Sequence, residues 1–221
     1  MSRVGAVIVA AGEGRRFGGP KQYALLRGRA VLDWSLAAFE ANPNVDSIVL
    51  VLGEAGRGAK DASRYAKVAA VVRGGERRQD SVANGVEALE PADDDIVLVH
   101  DGARPLVTQD LIDRVLEAAR TSGAAIPGLP LEDTIKEAEA GLVVRTVPRA
   151  RLVRVQTPQG FAAGLLCRAL EAAKTAGIEG TDEAALLESL GLPVTIVPGD
   201  ARNLKITSPL DLTAAEAYLG R

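Results

Sequence analysis

Short runs of β-branched residues alternate along this chain with Ala- and Leu-rich segments of helical period, which restricts the fold to an open, mostly parallel sheet flanked by helices. Strands are predicted at Val4–Ala10, Ser47–Leu52, Val68–Arg73, Ile96–His100, Ala124–Leu129 and Val194–Val197. Helices are predicted at Val31–Ala41, Gln79–Glu90, Gln109–Thr121, Gly164–Ala176, Glu183–Leu190 and Pro209–Tyr218. Thr108 stands where the third helix needs a cap, and Thr181-Asp182-Glu183 does so for the fifth. Residues 1–221 read as a single α/β domain.

Between Leu131 and Gln159 the rhythm breaks. Two alternating pieces, Thr134–Ala138 and Leu142–Val147, joined by Glu139-Ala140-Gly141, predict a β-hairpin. The segment 131–159 is expected to leave the sheet as a β-arm, which reads equally as a plain surface excursion or as an arm that pairs two subunits or covers a substrate. Asp93-Asp94-Asp95 reads as a solvated turn, and Cys167, among Leu165, Leu166 and Leu170, as a core residue.

Composition removes most catalytic repertoires. A single Cys excludes an intrachain disulfide and Cys-based zinc sites. A single His excludes a two-His metal site and leaves any triad to His100, which reads as a hydrogen-bonded structural residue within its strand. The near-balanced charge of −3 argues against a general binder of nucleic acid or anionic membrane, and 3% aromatic content is too low for base-stacking platforms. The N-terminal apolar run is too short and Gly-rich for a secretion signal, and no stretch is long enough to span a bilayer, so a cytoplasmic protein is expected.

What remains points to phosphate chemistry. Directly after the first strand comes Val9-Ala10-Ala11-Gly12-Glu13-Gly14-Arg15-Arg16-Phe17-Gly18-Gly19-Pro20-Lys21-Gln22. Small residues let backbone N–H groups approach an anion, and Arg15, Arg16 and Lys21 add charge suited to a polyphosphate. The loop is not a dinucleotide fingerprint, since Phe17 occupies its last glycine position, nor a P-loop, since Gln22 follows Lys21. A second loop, Gly74-Gly75-Glu76-Arg77-Arg78-Gln79-Asp80-Ser81, follows the third strand. His100-Asp101-Gly102-Ala103-Arg104-Pro105 ends the fourth, at the sheet edge where open α/β folds bind ligands. Asp101 there is placed to orient a hydroxyl, face a metal or cap the next turn.

The ordered series A-A-G-E-G-R-R-F…P-K-Q-Y, G-G-E-R-R-Q-D-S-V, H-D-G-A-R-P, D-T-I-K, T-V-P-R, Q-T-P-Q-G-F, T-D-E-A and N-L-K-I-T resembles the 2-C-methyl-D-erythritol 4-phosphate cytidylyltransferase family. The matches run from Ala10 to Thr207. The resemblance implies a Rossmann-like nucleotidyltransferase fold and a homodimer interlocked through the β-arms. It implies attack by the acceptor phosphate of methylerythritol phosphate on the α-phosphorus of CTP, with release of pyrophosphate. Such a transfer needs positioning and cations rather than a protein nucleophile.

By the same resemblance, Arg16 and Lys21 would stabilise the transition state and the leaving pyrophosphate. Lys205 would hold the acceptor phosphate near the α-phosphate, and Arg149 with Thr134 would grip that acceptor phosphate. Ala10, Gly75 and Ser81 would recognise cytosine, and Ala11, Gly12, Gly14 and Arg15 would complete the CTP loop. Asp101 and Gly102 would meet ribose or acceptor hydroxyls, and Arg104 the acceptor. Magnesium is expected on phosphate oxygens, with Asp101 the one candidate side-chain ligand. The loop at Gly102 departs from the family pattern, where many relatives carry Ala.

Three other readings compete. A ribitol 5-phosphate cytidylyltransferase would share the first and third motifs, but Asp133-Thr134-Ile135-Lys136 and Thr146-Val147-Pro148-Arg149 favour methylerythritol phosphate. A nicotinamide-dependent dehydrogenase is disfavoured by Phe17 and by the missing acidic ribose contact. A non-catalytic nucleotide sensor would have no need of both Lys21 and Lys205.

Overall fold

The computed structural model describes residues 2–53 and 62–220. Strand β1 (Val4–Ala10) is followed by a small hairpin of β2 (Leu25–Leu26) and β3 (Arg29–Ala30), then by α1 (Val31–Ala41), β4 (Ser47–Leu52) and β5 (Val68–Arg73). Helix α2 (Arg78–Leu89), β6 (Ile96–Asp101), α3 (Gln109–Ser122) and β7 (Ala124–Pro130) continue the alternation. The arm strands β8 (Ile135–Glu139) and β9 (Leu142–Val147) precede β10 (Val153–Val155) and β11 (Gln159–Ala162). The chain ends through α4 (Ala163–Ala176), α5 (Glu183–Ser189), β12 (Thr195–Pro198) and α6 (Pro209–Leu219).

Among the described residues the main sheet has eight strands, in the order β10-β7-β11-β6-β1-β4-β5 with β12 beside β7. Strand β1 is parallel to both β4 and β6. Its uninterrupted apolar run follows from burial on both faces. Ala6, Ile8 and Ala10 join the cluster under α1 and α3, while Val7 joins the cluster under α2 and α4 on the opposite face. From β1 the chain steps to β4 and β5 on one side and then crosses to β6 on the other, so the strand order reverses at β1. A crevice must open beyond the carboxyl ends of β1 and β6, where Ala10 and Asp101 lie.

Helix starts follow the cap chemistry. Leu111 N donates to Thr108 Oγ1 at 3.3 Å, and Ala185 N donates to Asp182 Oδ1 at 3.0 Å.

The structure corrects four sequence expectations. The main sheet takes the chain back at Val153, before Gln159, because β10 pairs antiparallel with β7 and β11 with β6 and β7; the short β11, Gln-Gly-Phe-Ala, carries no alternation to reveal it. The hairpin β2–β3 escapes notice for the same reason, being too short for a period and turned by Arg27 and Gly28 at positive φ. Cys167 is exposed, because the buried stripe of α4 runs through Ala163, Leu166, Ala169 and Ala173. Asp95 is buried rather than solvated: its carboxylate accepts from Arg3 N at 2.7 Å and Ala92 N at 3.0 Å, closing the entry to β6.

The arm itself is a separate two-stranded sheet. Leu142, Val143 and Val144 at its tip are 74%, 63% and 54% exposed.

Candidate active site

The Gly-rich loop leaves β1 at Ala10 and is shaped by its own backbone. Gly14 and Gly18 sit at φ +69° and +87°, and Phe17 N and Gly19 N both donate to Gly14 O, at 2.8 and 3.3 Å. Gln22, nearly buried, clamps the loop from below, its amide donating to Ala10 O at 2.9 Å and Gly12 O at 3.2 Å. The second loop packs against the first so closely that a Cβ at Gly74 would collide with the Ala11 methyl. Within it Gly75 N donates to Ser81 Oγ at 3.1 Å, and Ser81 Oγ donates to Arg77 O at 3.2 Å.

Between these loops lies an open cleft of about 1010 Å³ lined by Ala11, Gly12, Gly14, Arg15, Arg73 and Gly75. Beside it is a smaller pocket of about 220 Å³, bordered by Ala10, Lys21, Arg78, Ser81, Asp101 and Lys205. The large cleft is big enough for a nucleotide.

Asp101 is the hub of the smaller pocket. Its Oδ2 receives Lys205 Nζ at 2.8 Å and faces Arg104 Nε at 3.6 Å, while Oδ1 receives Arg78 Nε at 3.3 Å. Burial works to raise the Asp101 pKa, but Lys205, Arg78 and Arg104 outweigh it and hold the carboxyl well below the usual range. Lys21 moves the other way: burial and then the like charge of Lys205 lower its pKa, with Asp101 opposing and Arg16 adding to the fall. Arg16, Lys21, Arg78, Arg104 and Lys205 thus stand against the carboxylates of Asp101, Glu183, Glu76 and Asp211, so that the cations still outnumber the carboxylates, as a polyphosphate requires.

Lys205 reaches this point from near the C-terminus because its segment is laced to β6. Ile206 N donates to Ala103 O at 2.8 Å, Arg104 Nη1 donates to Asn203 O at 2.8 Å, and Asn203 Nδ2 donates to Thr157 O at 2.8 Å.

The sequence model described as 2-C-methyl-D-erythritol 4-phosphate cytidylyltransferase (IspD) matches residues 4–221. The chain is 44% identical to the protein so named from Geotalea uraniireducens (strain Rf4), over 98% of this chain and 97% of that one. It is 48% identical to that from Dehalococcoides mccartyi (strain CBDB1), over 98% and 96%. The crystal structure of the Thermus thermophilus enzyme superposes with a TM-score of 0.83 at 40% identity, covering 97% of this chain and 98% of that one. The chain belongs to the 2-C-methyl-D-erythritol 4-phosphate cytidylyltransferase family.

For a member of this family, the single chain brings together most of the residues expected from sequence. Ala10, Ala11, Gly12, Gly14, Arg15, Gly75, Ser81, Lys21, Asp101 and Lys205 border the two cavities, and Arg16 lies near enough to Lys21 to lower its pKa. Thr134 and Arg149 do not line either cavity; both are exposed on the arm segment. Gly102 differs from its expected part. Its N–H donates to Val9 O at 2.9 Å and its carbonyl accepts from Ser35 at 3.2 Å, so its backbone is already committed to the fold. A methyl there would meet Leu32 Cδ1 at 2.8 Å, the far end of a flexible side chain that has to shift to admit it. Arg104 is buried and bonded to Asn203, so it braces the floor of the pocket.

Residues that sequence reasoning passed over are Gln22, Arg78, Thr157 and Glu183. Arg78 and Glu183 lay inside recognised motifs, yet their pairing across the chain left no local signal.

His100 is the structural residue expected. It is fully buried, 4.9 Å from the Phe39 ring, with Nε2 bonded to Arg104 O at 3.3 Å and Nδ1 to Thr157 Oγ1 at 3.2 Å. The Arg104 carbonyl can only accept, so the neutral ring carries its proton on Nε2, and Nδ1 accepts from the Thr157 hydroxyl, whose oxygen in turn accepts from Asp101 N at 3.1 Å. Burial lowers the His100 pKa to about 3 from 6.5, with Asp101 opposing. The fold therefore prefers the neutral ring. Its contribution is complete above about pH 6.5 and is lost as pH falls toward the native value, at about 1.4 kcal/mol per pH unit for one proton. Urea melts of the wild type and His100→Gln between pH 7.5 and 5 check this: the variant should lack about one proton's worth of that slope, and parallel slopes would refute it.

Proposed function

We propose that the cations around Asp101 carry out cytidylyl transfer by in-line displacement at the α-phosphorus of CTP. The single observation that carries this is the meeting of Lys21, Lys205 and Asp101 at the switch point of the sheet, beside a Gly-rich loop whose cleft has the volume for a nucleotide. Membership of the family supplies the reaction. An oxygen of the phosphate of 2-C-methyl-D-erythritol 4-phosphate attacks the α-phosphorus, the bond from that phosphorus to the bridging oxygen breaks, and pyrophosphate leaves.

In this reading Arg16 and Lys21 stabilise the charge that builds on the leaving pyrophosphate, and Lys205, 36% exposed with its ammonium tethered to Asp101, steers the acceptor phosphate. Gly75, Ser81 and the backbone at Ala10 face the base.

In this reading magnesium would come with the nucleotide, held by its phosphates rather than by a protein carboxylate. Among the described residues no group of three or more His, Cys, Asp and Glu could cage a metal, and both oxygens of Asp101 are engaged by cations. When bound, the ion supplies charge neutralisation across the phosphate oxygens.

Thr134 and Arg149 act on the acceptor from the partner subunit of a homodimer joined through the arms. Neither residue lines either cavity of its own chain, which supports this, as does the exposed apolar tip of a hairpin too small to be stable alone. The enzyme is cytoplasmic in this reading; none of the described helices is long and apolar enough to cross a membrane.

Pyrophosphate release from CTP should proceed with 2-C-methyl-D-erythritol 4-phosphate and be at least about a hundredfold slower, in kcat/KM, with ribitol 5-phosphate, because a site built around one polyol's polar groups rejects another. Preference for ribitol 5-phosphate would overturn the acceptor. Arg149→Ala should raise the acceptor KM about tenfold or more while CTP binding is nearly retained, since it removes a charge-assisted contact to one substrate alone. An effect confined to CTP would contradict its assignment.

A further inference from the structure

We propose that Arg78 is a positioning residue: braced by the buried carboxylate of Glu183, it holds one oxygen of Asp101 so that the other directs Lys205. The contacts form a continuous line. Glu183, the first residue of α5, is wholly buried and accepts Arg78 Nη1 on both oxygens, at 2.6 and 2.9 Å. Arg78, the first residue of α2, turns its Nε to Asp101 Oδ1 at 3.3 Å. Asp101 Oδ2 then receives Lys205 Nζ at 2.8 Å. Four distant parts of the chain are joined in this way.

Chemistry explains each link. A carboxylate as buried as Glu183 needs a permanently charged partner, which only arginine guarantees. Glu183 borders neither cavity, so its burial serves no substrate directly. The rigid fork of a guanidinium reaches two carboxylates at once in fixed geometry, which an ammonium does not. With Oδ1 occupied, the Asp101 side chain cannot turn about its last bond, and its main chain is pinned by Thr157 Oγ1 at 3.1 Å. Lys205 is therefore drawn to a single oxygen in one place, with its remaining N–H groups available to a phosphate. Without Arg78, Oδ1 loses its partner and both Asp101 oxygens compete for Lys205 and Arg104, so the ammonium no longer keeps one position.

This inference rests on the assignment of Lys205 to the acceptor phosphate. The test is a kinetic double-mutant cycle on the whole enzyme with CTP, magnesium and 2-C-methyl-D-erythritol 4-phosphate, with melting temperatures recorded for every variant. Arg78→Gln should lower kcat by about ten- to a hundredfold, with the KM for CTP changed less than about threefold. Lys205→Gln should cost much less in the Arg78→Gln background than in the wild type, because the ammonium is already misplaced. Arg78→Lys forms the same cycle if Arg78→Gln does not fold; it retains a charge for Glu183 but cannot fork to Asp101. Additive losses, or wild-type kcat in Arg78→Lys, would overturn the positioning role while leaving Lys205 its part. A silent Lys205→Gln would overturn both.

Discussion

Replacing Lys21 or Lys205 by alanine should lower kcat by about three orders of magnitude, measured as pyrophosphate release at saturating CTP and acceptor. The reaction proposed for this site has no covalent intermediate, so the barrier is lowered by positioned charge alone, and losing one cation at a phosphoryl centre costs on that scale. Both side chains border the same small pocket. Lys21 is already disfavoured as a cation by its burial and by Lys205, so it gains a great deal when a triphosphate arrives, and that gain is absent in the variant. Folding should survive in both variants, because each removes a cation from a cluster with a positive surplus. Turnover close to the wild type in either, with an unchanged melting curve, would refute the catalytic assignment.

The second large effect is expected at Gly14. It combines a φ of +69° with a backbone neighbour: a Cβ there would fall inside the van der Waals sphere of the Gly19 carbonyl oxygen. Gly14→Ala must therefore open the turn that presents Arg15, Arg16 and Lys21, and the KM for CTP should rise about a hundredfold or kcat fall as far. The loop is largely exposed, so the melting temperature should change little. Gly18→Ala is the control. Its φ is +87° but the space around it is empty, so only the backbone strain of about 1–2 kcal/mol applies and the effect on CTP should be milder. Equal behaviour of the two variants would show that the turn does not set the position of the cations.

Particular residues show how much was legible beforehand. Strand β1 and helix α1 were placed with their observed ends, since a continuous Val/Ile run and a helical period each leave a local mark. The arm strands are legible for the same reason, as is the position of the Gly-rich loop at the end of β1. The return strands β10 and β11 were not, because strands of three and four residues borrow their conformation from β7 and β6 rather than from their own composition. Cys167 was placed in the core because its sequence neighbours are leucines, whereas the rotation of α4 against the sheet decides which of them face inward.

Among the functional residues the division is sharper. Local order along the chain determined the βα alternation, the Gly-rich loop after β1 with its Arg and Lys residues, and the single His and single Cys that other chemistries would need in pairs. These depend on neighbours within a few residues, and near neighbours are what a sequence displays. Only the tertiary structure decided that Lys205 returns to Asp101, that Arg78 joins Asp101 to the buried Glu183, and that Gly102 is spent on the fold. Each of those is an electrostatic or hydrogen-bonded contact between segments far apart in the chain, whose strength depends on burial and on distances of a few ångströms that no linear pattern encodes.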